Sequence, residues 1–168
     1  TQNLKFGEAV KHLAQLAGMQ PYMFSKQDEE REKKWKEYSS IFNQYVNFYH
    51  EQLLKNEEYT SARNYLKNRS LDKDQVKKFK IGYIEKNPNF FEELKKDFSL
   101  ESLIETGLFY LDEKKKIYVE RFRGRLIFPI NNISGQPIAL GGRIIEKSDY
   151  LAKYINSPET NFFKKGSN

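Results

Sequence analysis

Two apolar segments joined by a turn constrain the fold of this chain more than any other feature. The segment Arg121–Ile130 predicts a β-strand, and Pro137–Leu140 predicts a second strand that returns beside it. Between them, residues Asn131–Gly135 supply the small polar residues and glycine of a turn. Gly141 and Gly142 then predict the end of the second strand, where the backbone bends or approaches another part of the chain closely.

Basic residues lie on the first of these strands and after the second. Because side chains alternate between the two faces of a strand, three arginines are expected on one face: Arg121, Arg123 and Arg125. Arg143 comes directly after the glycine pair. Further on, Ser157–Thr160 predicts a helix start, with Ser as N-cap and Pro at the first helical position. Lysines lie on either side of it: Lys153, Lys164 and Lys165. The unpaired N–H groups of a helix start together with these lysines predict a phosphate site.

The charge of the chain is unevenly distributed. Its 168 residues carry a net charge of +6. Residues 1–59 contain eight Lys and Arg against nine Asp and Glu, whereas residues 60–168 contain 21 against 14. A basic C-terminal portion favours nucleic acid or another polyanion as partner, the alternative being a merely soluble basic protein. No cysteine is present, which excludes disulfides and thiolate zinc sites. No apolar run is long enough to span a bilayer, so we expect no membrane association and a cytoplasmic location.

The first third of the chain predicts helices. Apolar residues at helical spacing predict a helix over Phe6–Ala17, ended by Gly18. A long helix is predicted over Gln27–Lys55, and Tyr59–Lys67 predicts another. The apolar stripe of the long helix recurs every three or four residues and is expected to be buried: Trp35, Tyr38, Ile41, Phe42, Tyr45, Val46, Tyr49 and Leu53. His12 has no partner at metal-ligand spacing.

Short elements fill the middle of the chain. Two short helices are predicted, over Pro88–Phe98 and Ser99–Thr106. A hairpin with a lysine-rich tip follows over residues 108–119, and the strand Arg121–Ile130 is expected to continue its sheet. Helices that precede strands without regular alternation predict an α+β fold, a helical N-terminal part followed by a small, mostly antiparallel sheet.

Catalytic signatures are missing from the sequence. It contains no phosphate-binding glycine loop, serine-nucleophile elbow or zinc-binding helix motif. Asp72 and Asp74 have the spacing of a Mg²⁺-binding pair in polymerases. They precede a helical run that starts at Gln75, however, where acidic residues act as caps, and we interpret them as capping residues. We therefore expect neither a catalytic residue nor a metal ligand in this chain.

Four segments carry a family resemblance: YLKNRSL from Tyr65, RFRGRLIFPI from Arg121, GQPIALGGR from Gly135 and KYINSPETNFFKKG from Lys153. In this order they resemble the bacterial replicative DNA primase of the DnaG type, in the N-terminal subdomain of its RNA-polymerase core, which precedes the Toprim domain. Two positions depart from the pattern. Ser70 stands where the family normally has glycine, and Leu140 where it often has phenylalanine.

The resemblance implies an enzyme function. A primase is a DNA-directed RNA polymerase, a nucleotidyltransferase that copies single-stranded DNA into short RNA primers within the primosome. The resemblance places its Mg²⁺ ligands in the Toprim domain, beyond Asn168, and its zinc in a module upstream. Residues 1–24 are then expected to be the tail of that module and a linker, and 25–168 the core subdomain. Nucleotides, the RNA primer and, through a further C-terminal domain, the replicative helicase are the other implied partners. This segment alone is expected to be inactive.

Template-binding residues can be carried over where the motifs match. Arg143 is the arginine of the GGR motif, Lys153 opens KYINSPET, and Lys165 stands in the Lys-Gly pair after it. Arg69 and Asn156 match the arginine and asparagine of their motifs, and Arg121 and Arg123 are secondary candidates. Tyr118, Phe122 and Tyr154 lie nearby as rings for base stacking or for the core. Two alternatives remain: a free-standing module that binds single-stranded nucleic acid, or a protein-interaction domain using helix 27–55.

Overall fold

The computed structural model describes residues 6–19, 25–146 and 148–166. Its helices are α1 (Phe6–Leu16), α2 (Lys26–Lys55), a 3₁₀ turn (Glu57–Tyr59), α3 (Thr60–Lys67), α4 (Lys73–Lys78), α5 (Phe90–Leu94) and α6 (Leu100–Glu105). Its strands are β1 (Gly82–Ile84), β2 (Phe109–Asp112), β3 (Ile117–Glu120), β4 (Arg125–Asn131), β5 (Pro137–Ile144) and β6 (Tyr154–Asn156). This order of helices and strands confirms the predicted α+β class. None of the helices in the described ranges has the length and apolar character needed to cross a membrane.

The described residues up to Trp35 form one compact unit, and those from Lys36 onward form another. In the first unit, α1 ends at Leu16, and Gly18 adopts a φ of +65°, as the predicted glycine stop requires. The start of α2 has a reciprocal cap. The hydroxyl of Ser25 accepts a hydrogen bond from the Asp28 N–H at 3.2 Å, and the Asp28 carboxylate accepts one from the Ser25 N–H at 3.0 Å. The assignment of residues 1–24 to an upstream module stays a prediction.

In the second unit, α2 buries the predicted stripe. Its buried members are Tyr38, Ile41, Phe42, Tyr45, Val46, Tyr49 and Leu53. Trp35, the last residue of the first unit, is partly buried. The rings pack edge to face within the second unit, for example Tyr45 on Phe109 with centroids 5.7 Å apart. Because the apolar face of α2 is buried within the second unit, it is not free for a partner. This burial argues against the alternative of a protein-interaction domain that uses this face.

A buried carboxylate joins α2 to the strands. Glu120, at the end of β3, is only 2% exposed. One of its oxygens accepts hydrogen bonds from the hydroxyls of Tyr45 (2.8 Å) and Tyr49 (2.7 Å). The other accepts from the backbone N–H groups of Phe90 (3.1 Å) and Phe91 (3.3 Å). Burial raises the pKa of Glu120, and these hydrogen bonds oppose that rise. The carboxylate therefore ties α2, α5 and β3 together.

The strands form two antiparallel sheets. One has the order β1-β4-β5-β6, and the other is the β2-β3 hairpin. The predicted strand Arg121–Ile130 is therefore wrong in its first four residues, which form a turn. Gly124 in this turn has a φ of +71°, and its N–H donates to the carbonyl of Glu85. Because the turn separates the two sheets, Arg121, Arg123 and Arg125 do not share the face of one strand.

Two further predictions in this region are wrong. β5 does not end at Gly141 but continues to Ile144. The close approach expected there does occur, since a Cβ on Gly142 would lie 2.5 Å from a ring carbon of the buried Phe122. Ser157 does not start a helix, and residues 157–160 are irregular. Instead its hydroxyl accepts from the Leu140 N–H at 2.9 Å, and its own N–H donates to the Leu140 carbonyl at 2.8 Å. This pairing extends the β5–β6 ladder and uses the oxygen that would have capped a helix.

Candidate nucleic-acid interface

Arg143 lies in the middle of the candidate site. It is near the end of β5, where it is paired with Leu126 of β4 on one side and with Tyr154 of β6 on the other. Its guanidinium carbon lies 4.9 Å from the centroid of the Tyr154 ring and 5.2 Å from that of Tyr65. Nη1 of Arg143 donates to the Tyr154 hydroxyl at 2.5 Å. The guanidinium is thus in contact with two tyrosine rings from different elements.

Cations and rings alternate across this surface. Beyond Tyr65, the guanidinium carbon of Arg69 lies 5.6 Å from the ring centroid, and beyond Tyr154, Nζ of Lys153 lies 5.8 Å from the ring centroid. All four distances are within the range of cation–π attraction. We call this set the cation–tyrosine row: Arg69, Tyr65, Arg143, Tyr154 and Lys153.

The sequence positions one end of the row locally. Tyr65 is in the last turn of α3, and Arg69 lies in the turn that follows the helix, where its backbone N–H donates to the Leu66 carbonyl at 2.9 Å. Tyr65 also packs against a core cluster that includes Leu66 and Leu126. Ser70 follows with a φ of +60° and turns the chain away directly after Arg69. The backbone at this departure from the family pattern is therefore the left-handed one that favours glycine, at a cost of about 1 kcal/mol for serine.

Four members of the row, all except Tyr154, line a groove of about 350 Å³. The other lining residues are Ile144, Ile145, Glu146, Ser148 and Asp149. Within the described ranges, none of the row's three cations forms an ion pair. Glu146 is paired with Lys86 at 2.7 Å, which leaves Asp149 as the acid facing these cations. Nε of Arg143 is buried and has no hydrogen-bond partner among the residues described. The groove therefore has unneutralised positive charge, which attracts an anion.

A second, adjoining groove of about 620 Å³ contains the secondary arginines. Arg121 donates from Nε to the Gly107 carbonyl at 2.7 Å, and Arg123 donates from Nη1 to the Tyr110 hydroxyl at 2.8 Å. Both guanidinium carbons lie within 6 Å of the Tyr110 ring centroid, at 5.3 and 5.9 Å. Arg125, although it lines this groove, is 5% exposed and lies below the surface. Glu146 and Ser148 line both grooves, so the two are neighbours.

Two candidates lie outside both grooves. Lys165 is exposed, and its backbone N–H donates to the carboxylate of Glu159 at 3.1 Å. Asn156 is exposed on β6 opposite Gly141, with its side-chain oxygen 3.5 Å from the position that a Cβ of that glycine would take. The structure therefore brings Arg69, Arg143 and Lys153 together and leaves Lys165 and Asn156 apart from them.

Other residues singled out in the sequence have structural roles. Phe122 is fully buried and not available to a base, whereas Tyr154 is 58% exposed. Asp72 is the N-cap of α4, where it accepts from the Gln75 N–H at 2.8 Å and the Gln75 side chain accepts in return. Sequence reasoning missed Tyr65, although its spacing of four from Arg69 was the available signal. Among the described residues, no group of three or more His, Asp or Glu side chains is arranged to hold a metal ion.

Comparison with known proteins gives consistent matches. A family model described as "DNA primase catalytic core, N-terminal domain" matches residues 48–168. A DNA primase from Haemophilus influenzae is 34% identical over 175 residues, which cover 97% of this chain and 28% of the relative. One from Thermotoga maritima is 31% identical over 166 residues, covering 98% of this chain and 28% of the relative. The chain thus spans little more than a quarter of the length of these curated relatives.

Solved structures have the same fold. The DnaG primase catalytic domain bound to ssDNA aligns with a TM-score of 0.70 and 30% identity, over 80% of this chain and 41% of that one. The Aquifex aeolicus primase, with zinc binding and RNA polymerase domains, aligns with a TM-score of 0.69 and 31% identity, over 99% of this chain and 39% of that one.

Proposed function

The chain belongs to the family of the DNA primase catalytic core, N-terminal domain, and from this premise we propose that it is part of an enzyme that synthesises RNA primers on single-stranded DNA. The similar full-length proteins from Haemophilus influenzae and Thermotoga maritima are DNA primases. One structurally similar primase domain was solved bound to ssDNA. Within such an enzyme, the role of this chain is to hold the template strand beside the catalytic centre.

The cation–tyrosine row is the observation that supports this role. Proteins bind single strands without strong sequence preference by combining a positively charged groove with aromatic side chains. Arg69, Arg143 and Lys153 supply three cations in one groove, without ion pairs among the described residues. These cations contact phosphates, which carry no sequence information, so the row fixes the path of the strand and not the choice of bases.

The remaining candidates extend this surface. Arg121 and Arg123, in the adjoining groove, are assigned to secondary contacts with the same strand. Lys165 and Asn156 lie outside both grooves, and we assign them to contacts with the parts of the template strand that flank the grooves.

The chemistry of primer synthesis is assigned to other parts of the enzyme. Two-metal phosphoryl transfer needs carboxylates that position Mg²⁺ and neutralise the reacting oxygens. We assign these ligands to a Toprim domain and a structural zinc to an upstream module; the Aquifex aeolicus relative contains a zinc binding domain beside its polymerase domain. Nucleotides and the replicative helicase are the other proposed partners of the whole enzyme, in the cytoplasm.

Binding of a labelled single-stranded oligonucleotide to the chain, followed by fluorescence anisotropy, tests this function. Replacing Arg143 or Lys153 by Ala is expected to weaken binding about tenfold, the loss of one charge-assisted contact of ~1.5 kcal/mol. The matched control is Lys114→Ala in the exposed β2–β3 turn, which removes the same charge outside both grooves. Absence of oligonucleotide binding, or equal losses in all three variants, would contradict the assignment.

A further inference from the structure

We propose that Tyr65 and Tyr154 are positioning residues that hold the guanidinium of Arg143 in place for a phosphate of the template. This inference rests on the proposed function. Three contacts carry it: the guanidinium carbon of Arg143 lies 5.2 Å from the Tyr65 ring centroid and 4.9 Å from that of Tyr154, and Nη1 donates to the Tyr154 hydroxyl.

The two rings are fixed by different parts of the fold. Tyr65 is on α3 and packs against the core cluster, which restricts the positions open to its ring. Tyr154 is on β6, and its backbone is paired directly with that of Arg143 on β5. The guanidinium of Arg143 thus lies against two rings, one held by helix α3 and the other by the neighbouring strand β6.

The exposure of Tyr154 indicates that its side chain belongs to the surface site and does not pack in the core. Its side chain is 58% exposed, and its ring has cations over it from both Arg143 and Lys153. A ring so exposed contributes little buried area, so it can be replaced without unfolding the chain. Its hydroxyl accepts one N–H of Nη1 and leaves the other three N–H groups of the two terminal nitrogens for a ligand, whereas Nε is buried.

A guanidinium held in this way loses less freedom when it binds a phosphate. Arginine side chains have many rotamers in solution, and the ordering of such a side chain on binding reduces affinity. The rings of Tyr65 and Tyr154 order the Arg143 side chain before the template binds. Tyr154 therefore acts through Arg143, and removing the tyrosine has an effect only while the arginine is present.

A double-mutant cycle on the chain tests this dependence with a single-stranded oligonucleotide. Arg143→Ala is expected to weaken binding about tenfold and Tyr154→Ala about three- to fivefold. In the Arg143→Ala background, Tyr154→Ala is expected to change the affinity by less than twofold. Tyr154→Phe, which keeps the ring and loses only the hydroxyl, is expected to recover about half of the loss on a logarithmic scale.

Phe79 provides the matched control. It is 55% exposed and has Nζ of Lys78 over its ring at 5.6 Å, but it lines neither groove. Phe79→Ala therefore removes a similar exposed cation–ring contact and is expected to leave binding within twofold. For Tyr65, which is partly buried, Tyr65→Leu is compared with Tyr65→Phe, and thermal unfolding verifies that each variant is folded. Only the leucine variant is expected to weaken binding, because the phenylalanine keeps the ring.

The outcomes separate this inference from the proposed function. If Arg143→Ala itself leaves binding unchanged, the proposed function fails. If Arg143→Ala weakens binding and Tyr154→Ala adds its full effect in that background, the ring contacts the nucleic acid directly and the positioning role is refuted. A Tyr154→Ala variant that binds as tightly as the unsubstituted chain refutes it equally.

Discussion

The guanidinium of Arg143 lies over the ring of Tyr154, with 4.9 Å between its carbon and the ring centroid, and donates to the hydroxyl of the same tyrosine. The two residues are register partners on the adjacent antiparallel strands β5 and β6. Cross-strand partners have Cβ atoms within about 5.5 Å, which places the two side chains side by side. Strand pairing thus determines the geometry of the site, and substitutions that disturb the strands should disturb the site.

Glu120→Gln is expected to lower the free energy of unfolding by about 1–3 kcal/mol, because the amide NH₂ group cannot accept the hydrogen bonds that a carboxyl oxygen accepts in either protonation state. Burial raises the pKa of Glu120 above its ordinary value of 4.5, so the folded state binds this proton more readily than the unfolded state. Its stabilising contribution is therefore complete below pH 4.5 and is lost as the pH rises through the raised pKa.

Urea unfolding of both proteins between pH 4 and pH 8 measures this effect. The cost of Glu120→Gln is expected to be larger at the acid end. The exposed Glu113→Gln serves as the control and is expected to change stability by less than about 0.5 kcal/mol. A cost of Glu120→Gln that grows with pH would contradict the assigned direction of the pKa.

Gly142→Ala and Gly141→Ala form a matched pair in β5. A Cβ at Gly142 would lie 2.5 Å from a ring carbon of the buried Phe122, whereas one at Gly141 would lie 3.5 Å from the Asn156 oxygen, an ordinary contact. Gly142→Ala is expected to destabilise the chain by about 1–3 kcal/mol, and Gly141→Ala to change it much less. Thermal or urea unfolding measures both. Equal effects would show that Phe122 moves aside freely.

Ser70→Gly is expected to raise the free energy of unfolding by about 1 kcal/mol, since Ser70 has a φ of +60°. Ser40→Gly, in the interior of α2, should have the opposite sign and destabilise by roughly 0.5–1 kcal/mol. Urea unfolding compares the two variants. A loss of stability in Ser70→Gly would mean that the serine side chain stabilises the fold by more than its positive φ destabilises it.

The chain alone is expected to synthesise no primers when incubated with single-stranded template, Mg²⁺ and nucleotides. The Asp72 carboxylate is used as a helix cap, and no metal-binding cluster is present among the described residues. Gel analysis for short RNA provides the measurement. Product that disappears in Asp72→Asn would show that this carboxylate acts as a metal ligand.

Local patterns predicted much of this fold. The stripe of α2 was recognisable because Tyr38, Phe42 and Tyr45 recur at helical spacing, and the Asp72 cap because its partner Gln75 is three residues away. The turn at Arg121 was missed because its alternating residues imitate a strand, while Gly124 with its positive φ breaks it. Ser157 was misassigned because its partner, Leu140, is 17 residues away.

The candidate site was only partly predictable for the same reason. Arg143 and Lys153 were recognisable from motifs. The contact of Arg143 with Tyr65 depends instead on how α3 packs against the sheet, which no local pattern encodes.

The salt dependence of single-strand binding tests the central claim most directly. Each phosphate contact on a single strand contributes about 0.7 to the slope of log K against log salt concentration. Arg143→Ala, Lys153→Ala and Arg69→Ala are each expected to flatten that slope by about this amount and to weaken binding to all sequences alike. Lys114→Ala is expected to leave the slope unchanged. If Lys114→Ala flattens the slope as much as the groove variants do, binding is diffuse attraction to a basic protein, and the assignment of a template groove is contradicted.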